Sequence, residues 1–389
     1  MTTGPTEAEL HALGRARELA MRARGRVSPN PLVGAVVLRD GAVVGEGWHE
    51  GPGEAHAEVM ALRTAGDAAR GATVVCTLEP CSHHGRTPPC TGALLGAGVA
   101  RVVVGCLDPL ERTRGRGVRV LSDAGVDVVC ATGDDEAACR RLNAPFITHA
   151  VLGRPHVVLK MAGSLDGKIA TAGGESRWIT GAPARELVHR WRADSDAVAV
   201  GIGTALADDP SLTARDVDGP VRQPARVVFD TAARLPQDGA LARTARDIPV
   251  MVVAGLTAPA GRVEALRALG VRVLPVPGAP VDVLAGLRAL AAEGVQSLFV
   301  EGGAQLAGAL LRAGAVDEVR WFAAPIIIGG DDAPGAVGGP GTLRLADAPR
   351  LQRVDVHRIG DDVLVCGELL APPAVREETE GDTGVHGAG

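Results

Sequence analysis

His56-Ala-Glu58, Thr77-Leu-Glu-Pro-Cys81 and Cys90 are the stretches that decide how the first half of this chain is read. One imidazole and two thiolates are ligand types that suit zinc, and three protein ligands leave its fourth position open for water. Mixed Cys/His ligation favours zinc over other metals. Zinc lowers the pKa of such a water toward neutrality, which makes the set catalytic in character. Glu58 lies too close to His56 to be an easy second ligand from the same turn, and is better used to carry protons from the water to a leaving amine. The plainer readings are weaker. A lone His-x-Glu occurs by chance, but structural zinc sites usually show four Cys/His ligands in paired short spacings, which this segment lacks. His83 and His84, between the two thiols, are the competing ligands.

Outward from this centre, apolar periodicity organises the chain. Residues 7–24 carry Leu10, Leu13, Ala16, Ala20 and Met21 at helical spacing. Val33–Leu38 and Ala42–Gly47 flank Asp40-Gly41, a hairpin-turn signal. A helix over 56–65 puts His56 and Glu58 in its first turn. A strand over 72–78, a loop over 79–89 and a helix starting at Cys90 follow, then strands over 101–106 and 126–130 with a helix between. This alternation predicts an α/β domain ending near residue 148. Both halves of the metal site then fall at strand-to-helix junctions, where open α/β sheets place ligands.

Gly153-Arg154-Pro155 marks a break. A second α/β unit is expected beyond it, with strands over 156–162, 196–201, 226–230, 249–253 and 298–301 and helices over 183–193 and 305–313. Glu301-Gly-Gly-Ala304 leads from the last strand into the last helix, where a glycine pair can seat a phosphate on free backbone N–H groups. No G-x-G-x-x-G fingerprint is present, so a dinucleotide here would not be bound in the Rossmann manner. The expected domains are residues 1–150 and 151–370, with 371–389 as a solvated acidic tail.

Composition bounds the function. The 389 residues suffice for two domains, and with no Tyr and 2% aromatics the cores must be built from Val, Leu, Ala and Ile. Few aromatics and a net charge of −6 give neither a base-stacking surface nor a basic footprint for a polynucleotide. Local arginines must handle any anionic substrate. Seven cysteines form no disulfide framework, which fits a reducing compartment. The N-terminus shows no signal-peptide pattern, and no apolar run approaches the ~20 residues that span a bilayer. A cytoplasmic protein without nucleic-acid or membrane partners is expected.

The pattern His-x-Glu with Pro-Cys and a further Cys is the signature of zinc nucleobase deaminases. The run Thr77–Cys90 (Thr-Leu-Glu-Pro-Cys-Ser-His-His-Gly-Arg-Thr-Pro-Pro-Cys), with Pro29-Asn-Pro-Leu-Val-Gly34, closely resembles one family in particular, the bifunctional deaminase/reductase of riboflavin biosynthesis. Its wide Cys-x8-Cys spacing sets it apart from cytidine and tRNA-adenosine deaminases. Lys160-Met-Ala-Gly-Ser-Leu-Asp-Gly167, Ser176-Arg-Trp-Ile-Thr180, Thr204, Asp208-Asp-Pro-Ser-Leu-Thr-Ala-Arg215 and Val300-Glu-Gly-Gly303 are similar to its reductase motifs. The resemblance covers roughly residues 8–370.

The resemblance implies an α/β chain, a cytidine-deaminase-like three-layer domain followed by a dihydrofolate-reductase-like domain. It implies zinc deamination of 2,5-diamino-6-(5-phosphoribosylamino)pyrimidin-4-one, then reduction of the ribosyl group to ribityl with NADPH. It also implies a phosphorylated pyrimidine as partner and a homo-oligomer. Carried over by position, His56, Cys81 and Cys90 are the zinc ligands, Glu58 the proton shuttle and Asn30 a pyrimidine contact. Ser176, Arg192, Leu212, Arg215 and Glu301 match substrate positions, with Arg192 and Arg215 suited to the ribose phosphate. Ala162, Trp178, Thr204, Asp208, Thr231 and Gly303 match NADPH positions, and Lys160, Asp208 and Glu301 are the polar candidates for assisting hydride transfer.

Plainer readings stand beside these: Trp178 as core, Asp208 and Asp209 as a cap or turn before Pro210, Arg192 as a solvated helix residue. One stretch departs from the family. Leu110-Glu-Arg-Thr113 follows Asp108-Pro109 and precedes Gly115-Arg-Gly117, which places the substrate contacts of that loop in question. Two other hypotheses compete with the bifunctional enzyme: a chain with only one active domain, and a zinc-stabilised nucleotide-binding module. Glu58 speaks against the module, because a structural site needs no carboxylate beside an open coordination position.

Overall fold

Thr6 starts the first helix, α1 (Glu7–Met21), with a capping box: its hydroxyl accepts the Glu9 N–H at 3.3 Å, and its own N–H donates to the Glu9 carboxylate at 2.8 Å. The helix stops at Met21, short of the expected 24, because residues 22–25 form a turn with Gly25 at φ 76. The structure is a computed structural model and describes residues 4–85, 88–217 and 222–369; the expected acidic tail lies outside the described residues. The chain divides into two compact units, Met1–Arg154 and Pro155–Gly389.

In the first unit, β1 (Gly34–Arg39) and β2 (Ala42–Trp48) form the hairpin expected from Asp40-Gly41. Both turn residues take positive φ, 51 and 79, as a two-residue primed turn requires. Then come α2 (Ala57–Ala65), β3 (Thr73–Cys76), α3 (Cys90–Ala97), β4 (Arg101–Val104), α4 (Arg116–Asp123), β5 (Asp127–Cys130), α5 (Gly133–Leu142) and α6 (Ala144–Leu152). The sheet order is β2-β1-β3-β4-β5, with β1 antiparallel to both neighbours and β3, β4 and β5 parallel. The central strands are valine runs because both sheet faces are covered. Ala61, Leu94 and Leu121 from α2, α3 and α4 pack on one face. Leu13, Ala16, Leu19 and Cys139 from α1 and α5 pack on the other, giving three layers. Gly34 allows α1 to touch β1: a Cβ there would sit 1.9 Å from the Ala16 carbonyl oxygen.

The second unit runs β6 (His156–Ser164), α7 (Ala182–Ala193), β7 (Ala197–Gly201), α8 (Ile202–Asp208), β8 (Ala225–Phe229), α9 (Ala240–Arg243), β9 (Val250–Gly255), α10 (Ala260–Ala268), β10 (Arg272–Val276), α11 (Val283–Ala292), β11 (Ser297–Val300), α12 (Ala304–Arg312), β12 (Glu318–Ala324), β13 (Leu351–Ile359) and β14 (Asp362–Leu369). Its sheet order is β10-β9-β8-β7-β11-β6-β12-β14-β13, parallel except where β14 pairs with β12 and β13. Strands β10, β12, β13 and β14 and helices α8, α9, α10 and α11 go beyond the elements read from sequence. Strand β13 is exposed over most of its length, so it carries no apolar face for periodicity to detect. Among the described residues, no helix is long and apolar enough to cross a membrane.

Candidate active sites

The ends of two helices build the first site. His56 is the N-cap of α2 and Cys90 the first residue of α3, while Cys81 lies in the loop after β3. The His56 Nδ1 is 3.1 Å from the Cys90 Sγ and 3.5 Å from the Cys81 Sγ, and the three ligand atoms lie within 4.8 Å of one another. Tetrahedral zinc, with bonds of ~2.05 Å to nitrogen and ~2.3 Å to sulfur, places such atoms about 3.6 Å apart. The three side chains therefore fit zinc. His83 and His84 are exposed and belong to no such cluster, which removes them as competing ligands among the described residues.

Local electrostatics prepare the thiols. The Cys90 N–H, at the start of α3, donates to the Cys81 sulfur at 3.3 Å. The Cys90 side chain and His56 also hydrogen-bond Cys81, holding its pKa down to about 4. Cys90 is pushed the other way by that shared hydrogen bond and by burial. Glu58, in the first turn of α2, is 3% exposed, and burial raises its carboxyl to about 7. A carboxyl there exchanges a proton readily near neutral pH.

Asn30 follows the cis Ser28-Pro29 bond, and its amide nitrogen lies 2.8 Å from the Nε2 of His49. His49, at the end of β2, is 3% exposed and places its Nδ1 3.1 Å from the Ala55 carbonyl. With the proton assigned to Nδ1 by that carbonyl, Nε2 accepts from the Asn30 amide, so the Asn30 oxygen is the end left for another partner. The His49 ring also meets the His56 ring edge-on, with centroids 5.3 Å apart. His49 escaped the reading of the sequence. Its only signal there is a polar residue after the alternating strand 42–47.

In the second unit Arg192, on α7, forms a two-pronged ion pair with Glu301, at the carboxyl end of β11. One contact is 2.9 Å, and a further Arg192 nitrogen donates to the Thr213 carbonyl at 3.0 Å. Arg192 is therefore no solvated helix residue. Lys160, on β6, has its pKa lowered by burial, with Glu301 opposing that shift and Arg192 adding to it. The Arg215 N–H donates to His189 Nδ1 at 3.3 Å. Burial, then Arg192 and Arg215, lower the His189 pKa. The structure thus brings Lys160, Arg192, Arg215 and Glu301 into one cluster and adds His189, which stands one helical turn before Arg192. Leu212 lies in the same segment as Arg215, buried at 3% with φ 54.

The remaining expected positions lie on β6 or in the segments that follow β6, β7, β8 and β11. Thr204 is on α8 after β7, with Gly303 close enough that an added Cβ would meet its hydroxyl at 3.0 Å. Gly302 and Gly303 have φ 106 and 74 and lead into α12, a nine-residue helix. Thr231 follows β8 and accepts the Val281 N–H at 3.1 Å. Ala162 is on β6. Trp178 is 70% exposed under the Arg185 guanidinium, 4.5 Å from its ring centre, which rules out the core reading. Ser176 shares that segment. Asp208 pairs with Arg177 at 3.5 Å, while Asp209 is the C-cap of α8 at φ 40 and accepts the Ala240 N–H at 2.7 Å, so the cap reading applies to Asp209. A glycine pair that leads from a strand into a helix N-terminus suits a dinucleotide phosphate.

Comparison with known proteins agrees with both halves. The family described as the cytidine and deoxycytidylate deaminase zinc-binding region matches residues 7–106, and the RibD C-terminal domain matches residues 155–365. The riboflavin biosynthesis protein RibD of Escherichia coli K12 is 42% identical over 371 residues, covering 90% of this chain and 96% of that protein. The protein of the same description from Bacillus amyloliquefaciens is 40% identical over 355 residues, covering 91% and 95%. Among solved structures, Acinetobacter baumannii RibD, form 1, superposes with a TM-score of 0.83 at 37% identity, over 94% of this chain and 99% of that one. A Thermotoga maritima diaminohydroxyphosphoribosylaminopyrimidine deaminase/5-amino-6-(5-phosphoribosylamino)uracil reductase gives 0.80 at 34% identity, over 93% and 99%. The chain belongs to the RibD family of riboflavin biosynthesis, bifunctional enzymes that join a zinc-dependent deaminase to an NADPH-dependent reductase.

Proposed function

We propose that the first unit deaminates 2,5-diamino-6-(5-phosphoribosylamino)pyrimidin-4-one and that the second reduces the ribosyl group of the product to ribityl. The observation that carries the deaminase half is the juxtaposition of the His56, Cys81 and Cys90 ligand atoms within 4.8 Å, with buried Glu58 in the helix that His56 caps. His56, Cys81 and Cys90 would hold zinc, which would supply a Lewis acid that makes water nucleophilic near neutral pH. Glu58 would take a proton from the attacking water and give it to the departing amine, so that water is consumed and ammonia leaves. The Asn30 oxygen, set by His49, accepts a hydrogen bond from the pyrimidine.

In the reductase, Arg215 holds the substrate phosphate, and Ser176 and Leu212 border the same substrate. Arg192 is engaged by Glu301 and the Thr213 carbonyl, so it contributes to the phosphate by its charge and by ordering the segment that carries Arg215. NADPH supplies the hydride. Ala162, Trp178, Thr204, Asp208, Thr231 and Gly303 bind and orient it, while Lys160, Glu301 and Asp208 provide polar groups at the reacting end. The free thiols fit a cytoplasmic setting.

The test is direct. Purified protein given the diaminopyrimidine phosphate should release ammonia and then oxidise NADPH. Ammonia without NADPH oxidation, or NADPH oxidation only when the deaminated compound is supplied, would establish the reading in which one unit is silent.

A further inference from the structure

The residue just before Pro80-Cys81 is a buried carboxylate whose surroundings the zinc chemistry does not explain. Glu79 is 6% exposed and both of its oxygens are taken by backbone N–H groups of a distant segment. Its Oε2 accepts from Asp108 at 3.1 Å and Gly115 at 2.9 Å. Its Oε1 accepts from Gly117 at 2.9 Å and Val118 at 3.3 Å. These donors bracket residues 109–114 and include the N-terminal amides of α4, whose partial positive charge suits a carboxylate. The seat is close: a Cβ at Gly117 would lie 2.0 Å from the Pro80 carbonyl oxygen. Strands β3 and β4 are parallel neighbours, so the Cys81 loop and the 105–115 loop leave the sheet at the same end. Inside the loop, the Asp108 carboxylate accepts the Leu110 N–H at 2.8 Å, and the Leu110 carbonyl accepts from Thr113 and Arg114 at 2.9 and 2.8 Å.

We propose that Glu79 is a positioning residue of the deaminase: it clamps the Asp108–Gly117 loop to the zinc-thiolate loop so that this loop forms one wall of the pyrimidine pocket. The clamp holds backbone to side chain, so the loop's own sequence, Leu110-Glu-Arg-Thr113 here, is free to differ while both ends stay fixed. The proposal rests on the deaminase reading of the first unit, which ammonia release by the unaltered chain checks separately.

Glu79→Gln turns an amide N–H group toward two backbone N–H groups and should free the loop without touching zinc or Glu58. The expected result in the full chain is a KM for the diaminopyrimidine phosphate raised roughly tenfold with kcat within about threefold. One zinc per chain, unchanged NADPH oxidation on the deaminated substrate, and faster trypsin cleavage after Arg112, Arg114 or Arg116 should accompany it. Glu79→Asp, which keeps both acceptor oxygens on a shorter arm, should recover part of the KM. Unchanged KM despite faster cleavage would overturn the proposal, as would zinc loss with KM unaltered. If Glu79→Gln does not fold, hydrogen exchange on the unaltered protein decides. The amides of Asp108, Gly115, Gly117 and Val118 should exchange slowly, and those of residues 110–114 should gain protection when substrate is added. Fast exchange at the four, or no gain in the loop, overturns it.

Discussion

At the scale of single residues, the proposed deamination divides its labour between side chains that would hold metal and one carboxylate, Glu58, that would move protons. Glu58→Gln removes the proton carrier and leaves His56, Cys81 and Cys90 in place. Zinc content should stay at one per chain while ammonia release falls by about 10²- to 10⁴-fold. Metal analysis beside an ammonia assay checks both halves, and near-normal release would assign the proton to another group. Cys81→Ser should instead lose zinc, because it removes one of three ligand side chains whose atoms lie within 4.8 Å of one another. In the reductase, the loss of one guanidinium–phosphate contact costs about 1.5–3 kcal/mol, or roughly ten- to a hundredfold in affinity. Arg215→Ala should raise the KM for the phosphorylated substrate by that factor and leave the KM for NADPH nearly unchanged. His189 offers an independent reading of the same site. Its pKa is lowered from 6.5 by burial and by the charges of Arg192 and Arg215. A bound phosphate offsets those charges and favours the protonated ring, so the NMR titration midpoint of His189 should rise when phosphorylated substrate is added. A midpoint that stays put would place the phosphate elsewhere.

At the scale of elements, the metal centre depends on how closely α1 and α2 approach the sheet. Gly34 on β1 lies against α1, and Gly47 on β2 against α2, where a Cβ would fall 2.4 Å from the Ala61 nitrogen. Backbone cannot yield as a flexible side chain can, so a methyl group at Gly34 must push α1 outward. Overpacking of this kind typically costs about 1–3 kcal/mol. Gly34→Ala should therefore lower the unfolding temperature of the first unit and weaken ammonia release, while NADPH oxidation by the second unit persists. Thermal unfolding followed together with both activities separates these outcomes; equal loss of both activities would mean the two units unfold as one.

At the scale of the whole molecule, each unit carries its own cores and its own site. The zinc ligands all precede Arg154, and every expected reductase residue follows Pro155. Removing zinc with a chelator should abolish ammonia release and leave NADPH oxidation on the deaminated substrate intact. A fragment starting at Arg154 should fold and catalyse that reduction alone. Loss of NADPH oxidation on chelation would show that the second unit depends on the metal.

The sequence by itself determined what chemistry is local. His56, Glu58, Cys81 and Cys90 could be named because ligand type and short spacing are set by the chain, and helix, strand and hairpin signals placed them at strand-to-helix junctions. The order of the two units was readable for the same reason, since each motif is a continuous run. Only the tertiary structure decided which distant residues meet. Arg192 pairs with Glu301 across 109 positions of chain, and Glu79 reaches Asp108 to Val118. His49 turns the Asn30 amide, and His189 joins Arg215. Such contacts are made by folding, through hydrogen bonds whose partners have no fixed separation in sequence. Exposed strand β13 is the same case in backbone form: its place is fixed by pairing with β14, and no apolar pattern of its own announces it.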